Sequence, residues 1–420
     1  MKVKVIIIGA GHSGLSASYF LTKSGIDHIV FERGQIGETW RSQRWESFKL
    51  NTAWKLNQLP GAAISEQSWS EEYGTAQEFS ASLTSYAKQF KLPVKEQATV
   101  LSVEKNADDF VVRVQLNTEV RKYTCEHVII ASGEHNVRKV PTFANALPSS
   151  VKQLHAIDYR SPKQIKEGNV LVVGSAQSGC QIAEELIESG KRVFLSTSQV
   201  ARIPRQYRGR DIMDWLMDIG FMNMRASDVP DKNMLHMAAP QLTGAGRIPH
   251  TISLQSLAAK GVIVIGKMCD VMRENLLFKS NAAMHVGFAD EFSVMAKQMI
   301  DGFIRQSGVA ASLPELDFDD LPDKTATSVS PITSLHTEKD NIKTIIWTTG
   351  STGDFSYIKL PVFDAGGAPL HENGISPVSG LYFVGLSWLR NRKSSLIAGA
   401  KEDAEFIVEK LMEKMIFEAT

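Results

Sequence analysis

Residues 3–32, VKVIIIGAGHSGLSASYFLTKSGIDHIVFE, decide the fold of this chain. The first six, Val3 to Ile8, are almost wholly apolar and β-branched, which predicts a strand buried on both faces. A glycine-rich segment then leads into a helical stretch ending near Gly25. A second apolar run, His28 to Phe31, ends at Glu32. This order predicts a complete βαβ unit at the start of the chain.

The three glycines of this unit have the spacing that a dinucleotide requires. Gly9 allows the tight turn, Gly11 lets the backbone approach a pyrophosphate, and Gly14 lets the helix pack close to the strand. The helix N-terminus faces the anion, and Glu32 stands where a carboxylate would accept hydrogen bonds from a ribose. We therefore predict an adenine dinucleotide here, with FAD as the first candidate; the alternative is a glycine-rich turn without a ligand. The predicted cofactor-binding residues of this unit are Gly9, Gly11, His12, Ser13, Gly14, Glu32 and Arg33.

Composition limits the classes of function. A chain of 420 residues is too long for one core, so two domains are expected. Lys+Arg and Asp+Glu are equal at 46 each, so no global field recruits nucleic acid or an anionic membrane. No apolar run is long enough for a membrane span, and residue one leads directly into a strand without a signal peptide. The three cysteines form no Cys-x-x-Cys pair, which excludes a vicinal dithiol and indicates a reducing, cytoplasmic location.

The segment from Gly34 to Asn51 is unusual for a linker, because it holds two tryptophans and two arginines. Aromatic rings and fixed cations in one loop suit a flat, electron-poor ring with a phosphate tail. The alternative is a surface loop anchored by Trp40 and Trp45. The predicted cofactor-binding residues of this loop are Thr39, Trp40 and Arg41.

A second dinucleotide unit begins at Asn169. Val170 to Val173 predicts a strand, Cys180 to Ser189 a helix, and Lys191 to Leu195 the next strand. Alanine replaces the middle glycine of the turn between them, so a phosphate can approach a little less closely. The predicted cofactor-binding residues of this turn are Gly174, Ala176, Gln177, Ser178 and Gly179.

The end of the second unit favours NADPH over NADH. Its second strand ends in hydroxyl residues rather than an acid, and four arginines follow in the next 14 residues. A carboxylate selects a free 2′-hydroxyl, whereas hydroxyls and an arginine suit a 2′-phosphate. Ser196, Arg202 and Arg205 are the predicted phosphate contacts, and the preference should be at least about tenfold, or ~1.4 kcal/mol. A solvated basic loop is the alternative for two of the four arginines.

The rest of the chain supports an α/β fold of two dinucleotide-binding, Rossmann-like domains. The segments 99–103, 110–116 and 121–124 alternate as a small β-meander. Val128 to Gly133, and again Lys343 to Gly350, predict a buried strand with a small-residue turn, and Gly380 to Gly385 a further such strand. We predict a discontinuous FAD domain, residues 1–150 and 330–420, into which an NADPH domain, residues 151–329, is inserted. An irregular insertion near 211–250 is expected to line or cover the substrate side.

These motifs together resemble the class B flavin-dependent monooxygenases, which include the flavin-containing monooxygenases, the plant auxin-forming enzymes and the Baeyer–Villiger oxygenases. The resemblance rests on both dinucleotide turns, on GETWR…LNT from Gly37 to Thr52, on WTTG at Trp347 and on the C-terminal GLYFVG. The sequence IPRQYRGRD from Ile203 to Asp211 is similar to a bacterial branch often labelled as potassium-transport flavoproteins. The resemblance adds Gly133, Gly350, Gly385 and Leu386 to the predicted cofactor site.

Three features refine this resemblance. The family's linker signature is half present: Leu154 to Tyr159 matches its end, but Ser149 and Val151 replace the expected phenylalanine and glycine. Tyr159 stands where Baeyer–Villiger enzymes have tryptophan, which argues against ester formation from ketones. Leu386 stands where many related reductases have an aspartate that holds the flavin phosphate, which favours the monooxygenases.

The resemblance implies a reaction. NADPH would deliver hydride to FAD, and oxygen would add to flavin C4a. The C4a-hydroperoxide would then pass one oxygen atom to a nitrogen or sulfur atom of a small molecule. Asn51 matches the family asparagine that supports the peroxyflavin; the alternative is that it caps a turn before Thr52. No metal, nucleic acid or membrane span is expected, and a homodimer is one assembly that the sequence leaves open. The rival functions are an NADPH oxidase or reductase, and a nucleotide-bound regulator or sensor.

Overall fold

The structure is a computed structural model that describes residues 1–62, 70–107, 109–244 and 248–419. The strands of these residues are β1 Lys2–Ile8, β2 His28–Phe31, β3 Val94–Lys95, β4 Ala98–Asn106, β5 Asp109–Leu116, β6 Glu119–Ile130, β7 Val137–Arg138, β8 Lys152–His155, β9 Asn169–Val173, β10 Val193–Ser196, β11 Gln206–Tyr207, β12 Arg210–Asp211, β13 Ile263–Ile265, β14 Met268–Met272, β15 Asn275–Phe278, β16 Ser334–His336, β17 Ile342–Trp347, β18 Ser351–Thr352 and β19 Leu381–Phe383. The α-helices are α1 His12–Lys23, α2 Glu38–Ser42, α3 Ala76–Gln89, α4 Gln177–Glu188, α5 Ile212–Asp218, α6 Leu254–Ala259, α7 Ala282–Ser307 and α8 Ile397–Ala419.

The first sheet is built around β1, whose apolar side chains are buried on both faces. Its strand order is β3-β2-β1-β6-β5-β4, and β19 pairs with β6. Strand β1 runs parallel to both β2 and β6, so the predicted βαβ unit is confirmed. Helix α8 returns from the end of the chain to pack against α1. The first and last parts of the chain therefore share one domain.

The third meander strand and the buried strand predicted after it are one element. The sequence separated 121–124 from Val128 to Gly133, but the structure joins them in the 12-residue strand β6. The first half of β6 forms a hairpin with β5, and the second half lies between β1 and β19. Burial changes accordingly, from largely exposed at Glu119 to fully buried at Ile130, so the sequence pattern changes within a single strand.

The second sheet confirms the second dinucleotide unit. Its strand order is β13-β10-β9-β17-β8, and every pairing in it is parallel. A small antiparallel sheet, β14-β15-β16, packs beside it. Among the described residues, no helix is both long enough and apolar enough to cross a membrane.

The strand predicted to return to the first domain at Lys343 belongs to the second sheet instead. Strand β17 pairs with β9 and β8, and β16 pairs with β15. The first domain was predicted to resume at residue 330. This boundary is wrong, because strands β16 and β17, as far as Trp347, pair with strands of the second domain. The chain crosses back at β18, which pairs with β7 from the outgoing crossing. An apolar strand with a small-residue turn occurs in both dinucleotide domains, so the pattern alone does not indicate which sheet receives it.

Candidate cofactor and active site

The first glycine turn has no room for a side chain at Gly9 or Gly14, but it has open space beside Gly11. Gly9 has φ +107°, and a Cβ there would lie 2.4 Å from the carbonyl oxygen of Ala131. A Cβ on Gly14 would lie 2.0 Å from the carbonyl oxygen of Gly9. A Cβ on Gly11 would meet no heavy atom within 4 Å. The open side lies at the N-terminus of α1, where backbone N–H groups favour an anion, so a pyrophosphate fits there.

The second turn repeats this geometry. Gly174 has φ +108°, and a Cβ on Gly179 would lie 2.0 Å from the carbonyl oxygen of Gly174. Ala176 precedes α4 with φ −75°, as Gly11 precedes α1 with φ −77°. The two turns differ mainly in the methyl group of Ala176. The described part of the chain therefore has two similar glycine turns, one at each sheet, and each leads into a helix N-terminus.

Glu32 supports the first turn. Its Oε2 accepts a hydrogen bond from the backbone nitrogen of Ala10 at 2.8 Å, and its Oε1 accepts one from that of Gly34 at 3.0 Å. Burial raises the pKa of this carboxyl above its ordinary value despite these two hydrogen bonds. Contact with a ribose stays a prediction for Glu32. The neighbouring Arg33 is exposed.

His12 presents an unpartnered polar atom beside the open side of the turn. It is the first residue of α1, and its ring lies 6.4 Å from that of Trp40. Its Nε2 is buried and has no hydrogen-bond partner among the described residues. Burial lowers the pKa of His12 to about 4, so the imidazole is neutral at neutral pH. A buried polar atom of this kind requires an explanation, and a bound cofactor supplies one.

The arginine that lies over Trp40 in the aromatic loop is not the one predicted. The guanidinium of Arg41 donates to Ile36 O at 3.0 Å and to Thr84 Oγ1 at 2.9 Å, which turns it toward α3 and argues against its predicted cofactor contact. Arg44 instead lies 5.0 Å above the ring of Trp40, the residue that contacts His12.

Arg44 has no carboxylate partner in the described ranges, and burial lowers its pKa to about 10. The side chain is half-buried, and its Nη1 donates to Gln43 O at 3.0 Å. A guanidinium without a carboxylate partner suits a phosphate. Sequence reasoning selected Arg41 because it directly follows Trp40, but its hydrogen bond to Thr84 directs it toward α3. Thr39 lies in the same helix and is partly buried.

The C-terminal glycine turn approaches the first turn. A Cβ on Gly385 would lie 2.4 Å from Ser13 Oγ, so this position has no room for a side chain. Gly133 and Gly350 have positive φ angles of 76° and 86°, and a Cβ on either would meet nothing within 4 Å. Both therefore border open space. Leu386 packs in the hydrophobic core of the first domain, and its cofactor contact stays a prediction.

Arg202 and Ser196 are engaged inside the second domain, contrary to their predicted role. Arg202 is 1% exposed and forms ion pairs with Asp290, at 2.6 Å, and with Asp320. Ser196 Oγ donates to Gly266 O at 3.1 Å and accepts from Met268 N at 2.8 Å. These contacts use the groups that were expected to hold a 2′-phosphate. Buried arginines need carboxylate partners, and here the chain supplies them.

Arg205 also departs from its predicted role. It is 1% exposed, pairs with Asp211, and donates from Nη1 to the backbone carbonyl oxygen of Asn51 at 2.9 Å. Asn51 therefore lies where the two domains meet. Its Oδ1 is buried and has no hydrogen-bond partner in the part of the chain that the structure describes. A turn-capping role would use that oxygen, so this geometry argues against the capping alternative.

Part of the insertion covers the second turn. Gln177 Oε1 accepts from Leu242 N at 2.7 Å, and Gln177 Nε2 donates to Thr243 O. Gln181, one helical turn further along α4, donates to Gly244 O at 3.3 Å. The side chain of Gln177 thus binds the insertion, while Ser178 is partly buried beside it. Residues 245–247 of the predicted insertion lie outside the described residues.

Comparisons with known proteins agree with this architecture. A protein-family model described as "Pyridine nucleotide-disulphide oxidoreductase" matches residues 6–210. The chain is 29% identical to an uncharacterized CzcO-like oxidoreductase of Geobacillus kaustophilus, over 98% of both chains. It is 28% identical to the probable indole-3-pyruvate monooxygenase YUCCA3 of Arabidopsis thaliana, over 56% of this chain and 54% of that protein.

Three solved structures share the fold. A flavin monooxygenase variant from Stenotrophomonas maltophilia has a TM-score of 0.65 and 18% identity, over 99% of both chains. A bacillithiol disulfide reductase from Staphylococcus aureus has a TM-score of 0.59 and 15% identity, over 99% of both chains. An OTEMO complex with FAD and NADP has a TM-score of 0.58 and 14% identity, over 99% of this chain and 86% of the other.

The fold and the two turns are those of a protein with two dinucleotide-binding domains, and the comparisons identify the class as an oxidoreductase. The comparisons confirm the predicted resemblance to class B flavin-dependent monooxygenases, with a CzcO-like oxidoreductase similar over nearly the whole chain.

Proposed function

We propose that this protein is an FAD- and NADPH-dependent monooxygenase that oxygenates a nitrogen or sulfur atom of a small molecule. The observation that carries the proposal is the pair of similar turns, each preceding a helix N-terminus, with Asn51 held by its backbone carbonyl to Arg205 of the second domain. Two dinucleotides and one substrate suit this arrangement. The proposal is supported by the flavin monooxygenases among the comparisons.

The two cofactors divide between the two turns. FAD is assigned to the first turn, where Gly11 leaves the approach open. Among the described residues, His12 Nε2 has no hydrogen-bond partner and Arg44 has no carboxylate partner. NADPH is assigned to the second turn, where Ala176 narrows the approach. Bound FAD would accept hydride from NADPH and transfer electrons to oxygen, and the protein would bind, orient and exclude water.

Asn51 is the residue that we assign beside the flavin. A neutral amide both donates and accepts hydrogen bonds, and it supplies no acidic proton at neutral pH. It can therefore stabilise a polar group that develops during oxygen transfer without promoting loss of peroxide. Its buried, unpartnered Oδ1 is consistent with a group that is satisfied only when the site is loaded.

The rival within enzymes is an NADPH oxidase or reductase that oxygenates no substrate. A bacillithiol disulfide reductase shares the fold, so the fold is compatible with a reductase as well as with a monooxygenase. Among the described cysteines, Cys125 and Cys180 are buried and Cys269 is exposed, and none forms a disulfide. A nucleotide-bound regulator is the rival from another class, and it would consume no NADPH.

The test measures hydrogen peroxide released per NADPH consumed by purified protein loaded with FAD. A panel of small tertiary amines and thioethers is added one at a time. We expect at least one compound to lower the ratio and to appear as its N-oxide or S-oxide by mass spectrometry. A ratio near one with every compound would favour the oxidase, and absence of NADPH consumption would favour the regulator.

The Asn51→Asp variant tests the residue assignment in the same assay. A carboxylate beside the flavin would introduce repulsion and a titrating group, so peroxide per NADPH should rise several-fold with flavin content unchanged. Asn51→Gln, which keeps the amide, is the matched variant. Its peroxide released per NADPH should lie between that of the unaltered protein and that of Asn51→Asp. An unaltered ratio in Asn51→Asp would assign Asn51 a structural role.

A further inference from the structure

A hydrogen bond between the two domains holds the backbone of Asn51. Arg205 belongs to the segment between β10 and β11 of the second domain, and Asn51 lies 154 positions earlier in the chain. Arg205 Nη1 donates to the Asn51 carbonyl oxygen at 2.9 Å. A charge-assisted hydrogen bond with one buried partner fixes geometry more firmly than a neutral one. The backbone position of Asn51 therefore depends on a cation of the other domain.

The guanidinium of Arg205 is itself fixed from two sides. Asp211 Oδ2 accepts hydrogen bonds from Arg205 and from the hydroxyl of Tyr73. Asp211 Oδ1 accepts from Met213 N at 2.8 Å and so caps α5. The ring of Tyr73, from the first domain, lies 5.0 Å from the guanidinium carbon. These contacts leave the guanidinium one orientation, with Nη1 directed at Asn51.

Each residue of this pair has one buried polar atom that no described residue contacts by a hydrogen bond. Arg205 Nε and Asn51 Oδ1 are both buried, and neither has a hydrogen-bond partner among the described residues. Arg202, three residues earlier, shows the contrasting case, since its Nε donates to Asp290 at 3.1 Å and its other nitrogens meet Asp320. A purely structural ion pair satisfies its donors in this way. The Arg205–Asn51 pair leaves one donor and one acceptor for a bound group.

We propose that Arg205 is a positioning residue that places the Asn51 amide for the reaction and makes this placement depend on contact between the two domains. The inference rests on the proposed function for its consequence in catalysis, but the positioning itself is a property of the chain. It replaces the predicted 2′-phosphate role of Arg205. The ratio of activity with NADPH to activity with NADH should therefore be independent of this side chain.

The test compares Arg205→Ala and Arg205→Lys with Arg208→Ala. Arg208 is a suitable control because it is an arginine that lies three residues after Arg205, just past β11, and pairs with Asp301 at 2.6 Å. Hydrogen exchange of the backbone amides in residues 48–57 is measured on the purified protein loaded with FAD. We expect exchange at least about tenfold faster in Arg205→Ala, as loss of a hydrogen bond to a charged group would give. Arg205→Lys should restore part of this protection, and Arg208→Ala should match the unaltered protein.

The catalytic consequence is measured on the same samples. Peroxide released per NADPH should rise in Arg205→Ala and recover partly in Arg205→Lys, with the coenzyme preference unchanged in both. Unchanged exchange with unchanged peroxide would overturn the proposal, and so would a coenzyme preference that collapses in Arg205→Ala. If Arg205→Ala fails to fold, the same two measurements on Arg205→Lys and Tyr73→Phe test the proposal. Tyr73→Phe keeps the ring and removes only the hydroxyl hydrogen bond to Asp211. If the unaltered protein consumes no NADPH, the proposed function fails, whereas the exchange experiment still tests the positioning.

Discussion

A Cβ on Gly14 would lie 2.0 Å from the carbonyl oxygen of Gly9, whereas a Cβ on Gly11 would meet no heavy atom within 4 Å. The two positions should therefore respond differently to the same substitution. Gly11→Val should fold and lose FAD, because its side chain enters the path of the pyrophosphate. Gly14→Val should fail to fold, because its side chain would overlap the backbone of Gly9, which cannot move away without disrupting the turn. Flavin content and circular dichroism measure the two effects, and a Gly11→Val protein with full flavin would contradict this assignment of the first turn.

Arg44 and Arg41 provide a matched pair within one loop. Arg44 lies over Trp40 without a carboxylate partner among the described residues, whereas Arg41 is bonded to Ile36 and Thr84. Replacing Arg44 with methionine keeps an unbranched, flexible side chain and removes the charge. We expect FAD to bind at least about tenfold more weakly, since a hydrogen bond to a charged group contributes about 1.5–3 kcal/mol.

Arg41→Met should leave FAD affinity within about threefold, a difference below ~0.7 kcal/mol. The measurement is a titration of flavin-free protein by the quenching of flavin fluorescence. Equal losses of affinity in both variants would show that the loop, rather than the Arg44 cation, determines binding.

Arg202 should act on stability and leave the coenzyme preference unchanged. Arg202→Ala would leave Asp290 and Asp320 buried beside an empty volume, which typically costs about 3–5 kcal/mol. Denaturation in urea measures this loss. Lys297 also pairs with Asp320, so it should limit the loss of stability. A stable Arg202→Ala protein that discriminates less well between NADPH and NADH would restore the phosphate role predicted from sequence.

The sequence predicted the features that depend on neighbouring residues. The turn from Gly9 to Gly14 follows a strand and opens a helix, so its geometry is determined within 12 residues of chain. The same holds at Gly174 and Gly179, where the structure gives nearly the same φ and the same close approach. Backbone sterics leave few alternatives for such a turn. The α/β class followed from these two units.

The features that the sequence missed depend on long-range contacts. Whether β17 joins the first or the second sheet is decided by pairing with β9, more than 160 residues earlier. Arg205 was assigned to a phosphate from its place after β10, but its partners are Asn51, Tyr73 and Asp211. An arginine in a loop has the same local pattern whether it meets a ligand or a buried carboxylate. Only the tertiary structure distinguishes the two.

His12 should make the protein sensitive to acid. Burial lowers its pKa in the folded state to about 4, below its value of 6.5 in the unfolded chain. The unfolded state therefore binds the proton first, and stability falls as the pH falls from about 6.5 toward 4. Between pH 7 and pH 5 this one group accounts for up to about 2 kcal/mol, less where solvent reaches the ring.

The His12→Gln variant should lose less stability than the unaltered protein on acidification across this range. His236→Gln, at an exposed position of the insertion, is the control and should behave as the unaltered protein does. Thermal denaturation at each pH, on flavin-free protein, measures the difference. Parallel losses of stability in the His12→Gln and unaltered proteins would mean that the imidazole is not held neutral.

The reaction of the reduced protein with oxygen tests the proposed monooxygenase function most directly. The protein loaded with FAD is reduced with one equivalent of NADPH, mixed rapidly with oxygenated buffer, and followed by its absorbance in a stopped-flow instrument. We predict that a distinct absorbing species precedes the oxidised flavin, and that this delay shortens in Asn51→Asp. A single-step return to oxidised flavin with one peroxide released per NADPH, in the presence of every amine and thioether tried, would contradict a monooxygenase.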